Sequence, residues 1–172
     1  MRRRARLSRI GARLTPRLDA RERFATIPPV SKAAFPTPQD CETAFYEALE
    51  RADLEAMMDV WCEDEEIVCV HPGGQRLTGY DQVRESWAQI FAGKHRLSVH
   101  LSNQVHMHGM MLAIHSLHEN ILVQGEPQPR TPVVCTNVYM RTASGWRLLM
   151  HHASPAPALQ PVRAAESPKI LH

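Results

Sequence analysis

The stretch Gly145-Trp146-Arg147-Leu148-Leu149-Met150-His151-His152-Ala153-Ser154 decides the fold. Gly145 ends a Thr142-Ala143-Ser144-Gly145 turn, and the chain beyond it opens on Trp, stays apolar, then places two imidazoles and a hydroxyl just before proline-rich sequence. That order reads as the last strand of a domain, entered through a tight hairpin and stopped by proline. With a side-chain period of two, Trp146, Leu148, Met150 and His152 share one face. Their apolar company predicts that this face looks into the interior, so His152 is expected to point inward and His151 outward.

Working back from that strand, residues 132 to 141 and 111 to 123 read as two more, separated by a Gly125 to Pro132 loop. Residues 97 to 107 alternate, with Leu97, Val99, Leu101, Val105 and Met107 on one side and Ser98, His100, Ser102, Gln104 and His106 on the other. Ile67-Val68-Cys69-Val70 is a short buried strand, stopped by His71-Pro72-Gly73-Gly74.

Three helices precede or flank these strands. Thr37-Pro38-Gln39-Asp40 supplies an N-cap, a first-turn proline and an acidic residue for the helix dipole, followed by Cys41, Phe45, Ala48, Leu49 and Ala52 on one face. Asp53 caps a second helix carrying Leu54, Met57, Met58 and Trp61 at i, i+3, i+4 and i+7. A third runs from Tyr80 through Val83, Trp87, Ile90 and Phe91 to Gly93. Helix, helix, strand, helix and four antiparallel strands pack most economically as an α+β cone, a curved sheet with three helices over its concave face and a pocket between the layers.

At 172 residues and 44% hydrophobic content the chain is long enough for one sizeable core. No apolar run reaches the length of a membrane span. The net charge of +2 hides an asymmetry: residues 1 to 36 hold ten of the 20 Lys and Arg against only Asp19 and Glu22. The remainder is acidic, which argues against nucleic acid as a partner of the folded part. Residues 1–36 read as an Arg-rich, Pro-interrupted tail, a disordered arm or a targeting segment, 37–154 as the domain, and 155–172 as a Pro-rich tail. Cys41, Cys62, Cys69 and Cys135 show no CxxC spacing and sit in apolar patterns, as buried thiols of a reducing, cytoplasmic compartment do.

The motifs Val70-His71-Pro72-Gly73-Gly74, Leu77-x-Gly79, Ser86-Trp87, Thr136-Asn137-Val138 and Gly145-Trp146-Arg147 through His152-Ala153-Ser154 resemble the SnoaL-like branch of the nuclear transport factor 2 superfamily, over about residues 37 to 154. The His-x-Ser ending is also similar to the last strand of the association domain of calcium/calmodulin-dependent kinases. The resemblance implies a cone-shaped fold, a homodimer through the outer sheet face, and a hydrophobic pocket that different members use for cyclisation, isomerisation, dehydration, epoxide hydrolysis or no chemistry at all.

A ketosteroid-type isomerase needs a strand carboxylate as base. From residue 97 to 154 the only acidic residues are Glu119 and Glu126, the latter in a Gly and Pro loop. Imidazole is therefore the expected acid or base, with His152 first and Asn137 polarising a ligand carbonyl. The alternative for both is structural: His152 bonded to Ser154 or Asn137, and Asn137 bridging strand backbone. Trp61, His71, Tyr80, Trp87, Met140 and Met150 are the expected pocket lining, with turn or core roles as the plainer alternative for His71 and the two tryptophans. His106-x-His108 and the pair His115 and His118 supply two imidazoles each, and a closed site needs three or four ligands, so no metal and no other cofactor is expected. The expected function is that of a small-molecule pocket protein for an apolar or aromatic ligand, a binding or dimerisation module. The alternative is an isomerase, cyclase or dehydratase acting on a carbonyl compound by histidine proton transfer.

Overall fold

Thr37 opens the first helix as its side chain predicts. In the computed structural model, which describes residues 34–63, 66–93, 95–127 and 130–156, the Thr37 hydroxyl accepts from the Asp40 amide at 3.1 Å while the Asp40 carboxylate accepts from the Thr37 amide at 3.0 Å. This reciprocal box starts α1 (Pro38–Arg51), and Ala52 ends it in the left-handed conformation at φ 53°. Asp53 caps α2 (Leu54–Val60) by accepting from the Ala56 amide. The third helix, α3 (Tyr80–Ala92), ends at Gly93. The expected Arg-rich and Pro-rich tails lie almost wholly outside the described residues. Phe35 is an exception: it is buried, and its carbonyl accepts from the Trp146 amide at 2.8 Å. A Cβ on Gly145, whose φ is +107°, would come within 2.6 Å of that carbonyl, so glycine is required there.

The strands are β1 (Val68–Val70), β2 (Arg76–Thr78), β3 (Leu97–His108), β4 (Leu112–Val123), β5 (Val133–Thr142) and β6 (Gly145–Pro155). They form one sheet in the order β2-β1-β6-β5-β4-β3. The α+β cone with three helices is therefore the architecture observed, but the sheet is mixed: β1 runs parallel to β6, Cys69 opposite His151. The short strand β2, absent from the expected order, forms because the turn after His71 folds the chain back onto β1, the Gly74 amide donating to the His71 carbonyl at 2.8 Å. The helices bury Phe45, Met57, Met58 and Val83 against Leu117, Tyr139 and Leu148 of the sheet. Each such large side chain stabilises the fold by about 1.5 to 3 kcal/mol.

Two bulges decide which side chains enter the interior. Val138 pairs with Met150 but Tyr139 pairs with Leu148, so Leu149 is an extra residue in β6. Likewise Ser102 pairs with His118 and Val105 with Ser116, so Asn103 and Gln104 together face Leu117 alone. Asn103 takes φ 51°, a conformation asparagine tolerates. An inserted residue exchanges the two faces of everything beyond it.

Candidate functional site

The β6 bulge overturns the expectation for the paired histidines. His151 is 3% exposed and faces the interior, whereas His152 is exposed. The parity argument fails because Leu149 consumes one position between Leu148 and Met150. Met150, pairing with Val138, moves with His152 to the outer face, half-buried.

Around His151 the structure assembles a directed chain of hydrogen bonds. His151 Nδ1 lies 2.8 Å from Asn137 Oδ1, Asn137 Nδ2 donates to the Tyr46 oxygen at 3.4 Å, and the Tyr46 hydroxyl donates to Glu119 Oε1 at 2.8 Å. Cys135 Sγ joins through Asn137 Oδ1 at 3.2 Å. Because the Asn137 oxygen can only accept, the neutral His151 ring carries its proton on Nδ1 and its lone pair on Nε2. All five residues are buried, and α1 supplies Tyr46, β4 Glu119, β5 Cys135 and Asn137, and β6 His151.

Glu119 and His151 form the polar floor of a cleft of about 130 Å³ lined by Phe45, Leu49, His71, Trp87, Leu97 and Ile121, among others. Burial pushes the two ionisable groups towards their neutral forms: the Glu119 carboxyl is raised, and the His151 imidazole is lowered to about 3. His71 stands at the cleft with Nε2 3.1 Å from the Ser86 hydroxyl and its ring edge-on to Trp87 at 4.7 Å, and burial lowers its pKa as well. Burial also raises the thiols, Cys41 and Cys69 to about 12, so they behave as apolar filling.

Of the expected lining, only His71 and Trp87 reach this cleft. Trp61 is fully buried and, with Met140, borders a separate cavity of about 240 Å³ beside Arg147. Tyr80 packs half-buried against the core. Asn137 is central, but it acts through His151 and Tyr46 and is absent from the cleft wall. The expected site residues include neither Glu119 nor Tyr46, and His151 is expected on the outer face. Glu119 had a legible signal, since it shares strand parity with Ala113, His115 and Leu117, and Tyr46 lies next to the apolar stripe of α1.

The β3 bulge has a second consequence. It turns Val105 and Met107 outward, 57% and 52% exposed, and brings His106 and His108 to the inner face beside His115. The pairing of His115 with His118 does not occur; His118 instead contacts Asn103 at 3.3 Å. Nitrogens of His106, His108 and His115 lie within 4.8 Å of one another, a third ligand that spacing alone could not supply. Donor atoms of Glu119, Cys135 and His151 are equally close, but they are committed to the buried chain of hydrogen bonds.

Comparison with known proteins agrees with this fold. The sequence model of the SnoaL-like domain family matches residues 39–158. A proposed association domain of calcium/calmodulin-dependent protein kinase type II from Thiobacillus denitrificans is 38% identical, covering 73% of this chain and 99% of that one, with a TM-score of 0.65. A proposed dehydratase of the NTF2-like family from Streptomyces avermitilis is 37% identical, covering 69% and 92%, with a TM-score of 0.64. F-box protein SKIP8 of Arabidopsis thaliana is 24% identical over 125 residues, and the chain spans 46% of that relative's length. With most of its length matched by the family and its fold shared with such structures, the chain belongs to the SnoaL-like family of the nuclear transport factor 2-like superfamily.

Proposed function

We propose that the chain binds a small, mostly apolar molecule of about one ring in the cleft above Glu119 and His151. The carrying observation is an apolar recess with one carboxyl and one imidazole at its floor, the arrangement by which pockets orient a ligand through few polar contacts. Size sets the class of ligand, because a cavity of about 150 Å³ accommodates a benzene-sized molecule. Cyclohexenone and benzaldehyde are suitable probes. Saturable binding, read by thermal shift, should disappear in Ile90→Trp, because Ile90 lines the cleft and is 38% exposed, so a larger ring there fills the opening and not the core. A panel of single-ring probes giving no saturable binding to the wild-type fold would end this reading.

One observation favours chemistry at the same place. An acid and an imidazole that burial pushes towards their neutral forms, side by side with the imidazole lone pair on Nε2, suit proton transfer beside a carbonyl, as in dehydration or isomerisation. The proposed dehydratase among the similar structures supports the same class. Deuterium exchange at the saturated carbon next to the carbonyl of cyclohexenone, followed by NMR, should fall about 100-fold or more in Glu119→Gln with binding retained.

Homodimerisation through the outer sheet face is supported by Val105, Met107, Met111 and Leu112, which the β3–β4 hairpin leaves exposed. Met107→Glu should shift a dimer to monomer in sedimentation. Buried free thiols and the lack, among the described residues, of any helix long and apolar enough to cross a membrane support a reducing, cytoplasmic setting.

A further inference from the structure

We propose that His106, His108 and His115 bind a divalent transition-metal ion, zinc being the ion their donor set suits best. None of the three lines the Glu119 cleft, so this is a second site. Two of the ligands stand at i and i+2 of β3, and the third is the direct cross-strand partner of the first, His106 opposite His115. The rings of His106 and His115 lie 4.1 Å apart, and those of His108 and His115 5.5 Å. Zinc to imidazole bonds of about 2.0 to 2.1 Å require nitrogens about 3.4 Å apart in a tetrahedron. From a spread within 4.8 Å, the nitrogens would close by up to about 1.4 Å on binding an ion.

His115 carries the argument furthest. It is fully buried, yet its Nε2 has no hydrogen-bond partner among the described residues. A buried imidazole nitrogen left unmatched is costly and uncommon, and one with two further imidazole donors within 4.8 Å has an obvious use. Its other nitrogen, Nδ1, is 2.8 Å from Glu42 Oε2, and Tyr139 donates to the same oxygen at 3.2 Å. A carboxylate behind a histidine fixes the tautomer that presents Nε2 and raises its basicity, the arrangement found behind metal-bound histidines. Glu42 Oε1 stands 3.9 Å from His106 Nε2, adding negative potential to the site.

Stacked, solvated histidines are the plainer explanation for His106 and His108, both partly exposed. That explanation leaves the buried His115 nitrogen unaccounted for. An all-imidazole set selects zinc, copper, nickel or cobalt over magnesium or calcium. Three protein ligands leave a fourth position, and a groove of about 380 Å³ along α1 and β3 reaches His106, lined also by Gln39, Thr43 and Gln104. Gln39 Nε2 contacts His108 Nε2 at 3.2 Å, a contact that a flexible amide can yield to an ion.

The test is titration of the untagged, chelator-treated full chain with zinc by calorimetry and with cobalt by visible absorption. The expected result is one zinc equivalent and the intense bands of four-coordinate cobalt, with affinity at least tenfold weaker in each of His106→Gln and His108→Gln, whose partly exposed positions should preserve the fold. Glu42→Gln, a change in a positioning residue, should weaken zinc about 10- to 100-fold while retaining the cobalt spectrum. Absence of binding, or binding unchanged in both histidine variants, overturns the proposal. So does a sulfur-to-cobalt charge-transfer band, which would put the ion at Cys135 instead.

Discussion

The two polar clusters on the concave side of the sheet are made from the same materials and reach opposite states. At the His151 cluster, a carboxyl, a phenol, an amide and an imidazole form one donor-to-acceptor chain in which Asn137 uses both ends of its amide. At the His115 cluster, the Glu42 carboxylate takes up one imidazole nitrogen and the Tyr139 hydroxyl, and the other nitrogen stays without a partner beside two more rings. The first is complete without a ligand and presents polar groups to a recess. The second is one partner short. Buried polar satisfaction, more than the mere presence of histidine, separates a site that receives an apolar molecule from one that receives an ion.

The largest effect should come from breaking the complete chain at its centre. Asn137→Leu leaves the His151 N–H and the Tyr46 oxygen without their partner in the interior, and urea unfolding should show a loss of about 3 kcal/mol or more. Glu119→Gln, at the end of the chain, should cost less. Equal losses would mean that Asn137 does not link the two halves.

Deleting Asn103 sharpens the comparison from the other side. Removing the extra residue restores strict alternation in β3, sends His106 and His108 outward and returns Val105 and Met107 inward. Zinc affinity should fall at least 100-fold, about 2.7 kcal/mol, while the deeper chain of hydrogen bonds, which takes nothing from β3, keeps the His151 environment unchanged by NMR.

Acid should separate the clusters more gently. The His151 pKa is about 3 in the folded protein against an ordinary value of 6.5, so between those values the unfolded chain binds more protons and stability falls as pH falls. The slope from one such group is about 1.4 kcal/mol per pH unit. Glu119 works in the opposite sense: its raised pKa means that stability is lost as pH rises through the folded value. His151→Gln should flatten the acid limb in a stability-versus-pH series, with the contributions of His71 and His106, both lowered by burial, remaining. The smallest effect is expected of His152→Ala, within about 0.5 kcal/mol, because that ring is exposed. A loss near 2 kcal/mol there would restore the parity reading and reject the bulge.

Those contrasts also show what was legible in the residues. The caps at Thr37 and Asp53, the apolar stripes of three helices and the Thr142 to Gly145 hairpin sufficed for the elements and the cone, because each is a local preference that tertiary packing reinforces. Pairing of β1 with β6 and the strand β2 were not legible, since three residues carry too little pattern to name a partner. The site was misread for one physical reason applied twice. Alternation is a rule about uninterrupted strands, and both strands are interrupted. Each interruption left a trace: Ser102-Asn103-Gln104 is a polar run where an apolar residue was due, and Leu148-Leu149-Met150 does not alternate at all. Reading the second as a bulge exchanges His151 for His152, and reading the first as one gathers the three ring nitrogens.

The parallel pairing of β1 with β6 sets the order in which this chain can mature on the ribosome. Cys69 acquires its neighbour on that side only when His151 has been made, so the first short hairpin must wait for its place in the sheet until nearly the whole domain has been translated. Such distant contacts make for slow, all-or-none folding. A stalled or prematurely terminated product ending before β6 would therefore leave that hairpin unattached, a target for chaperones and proteases.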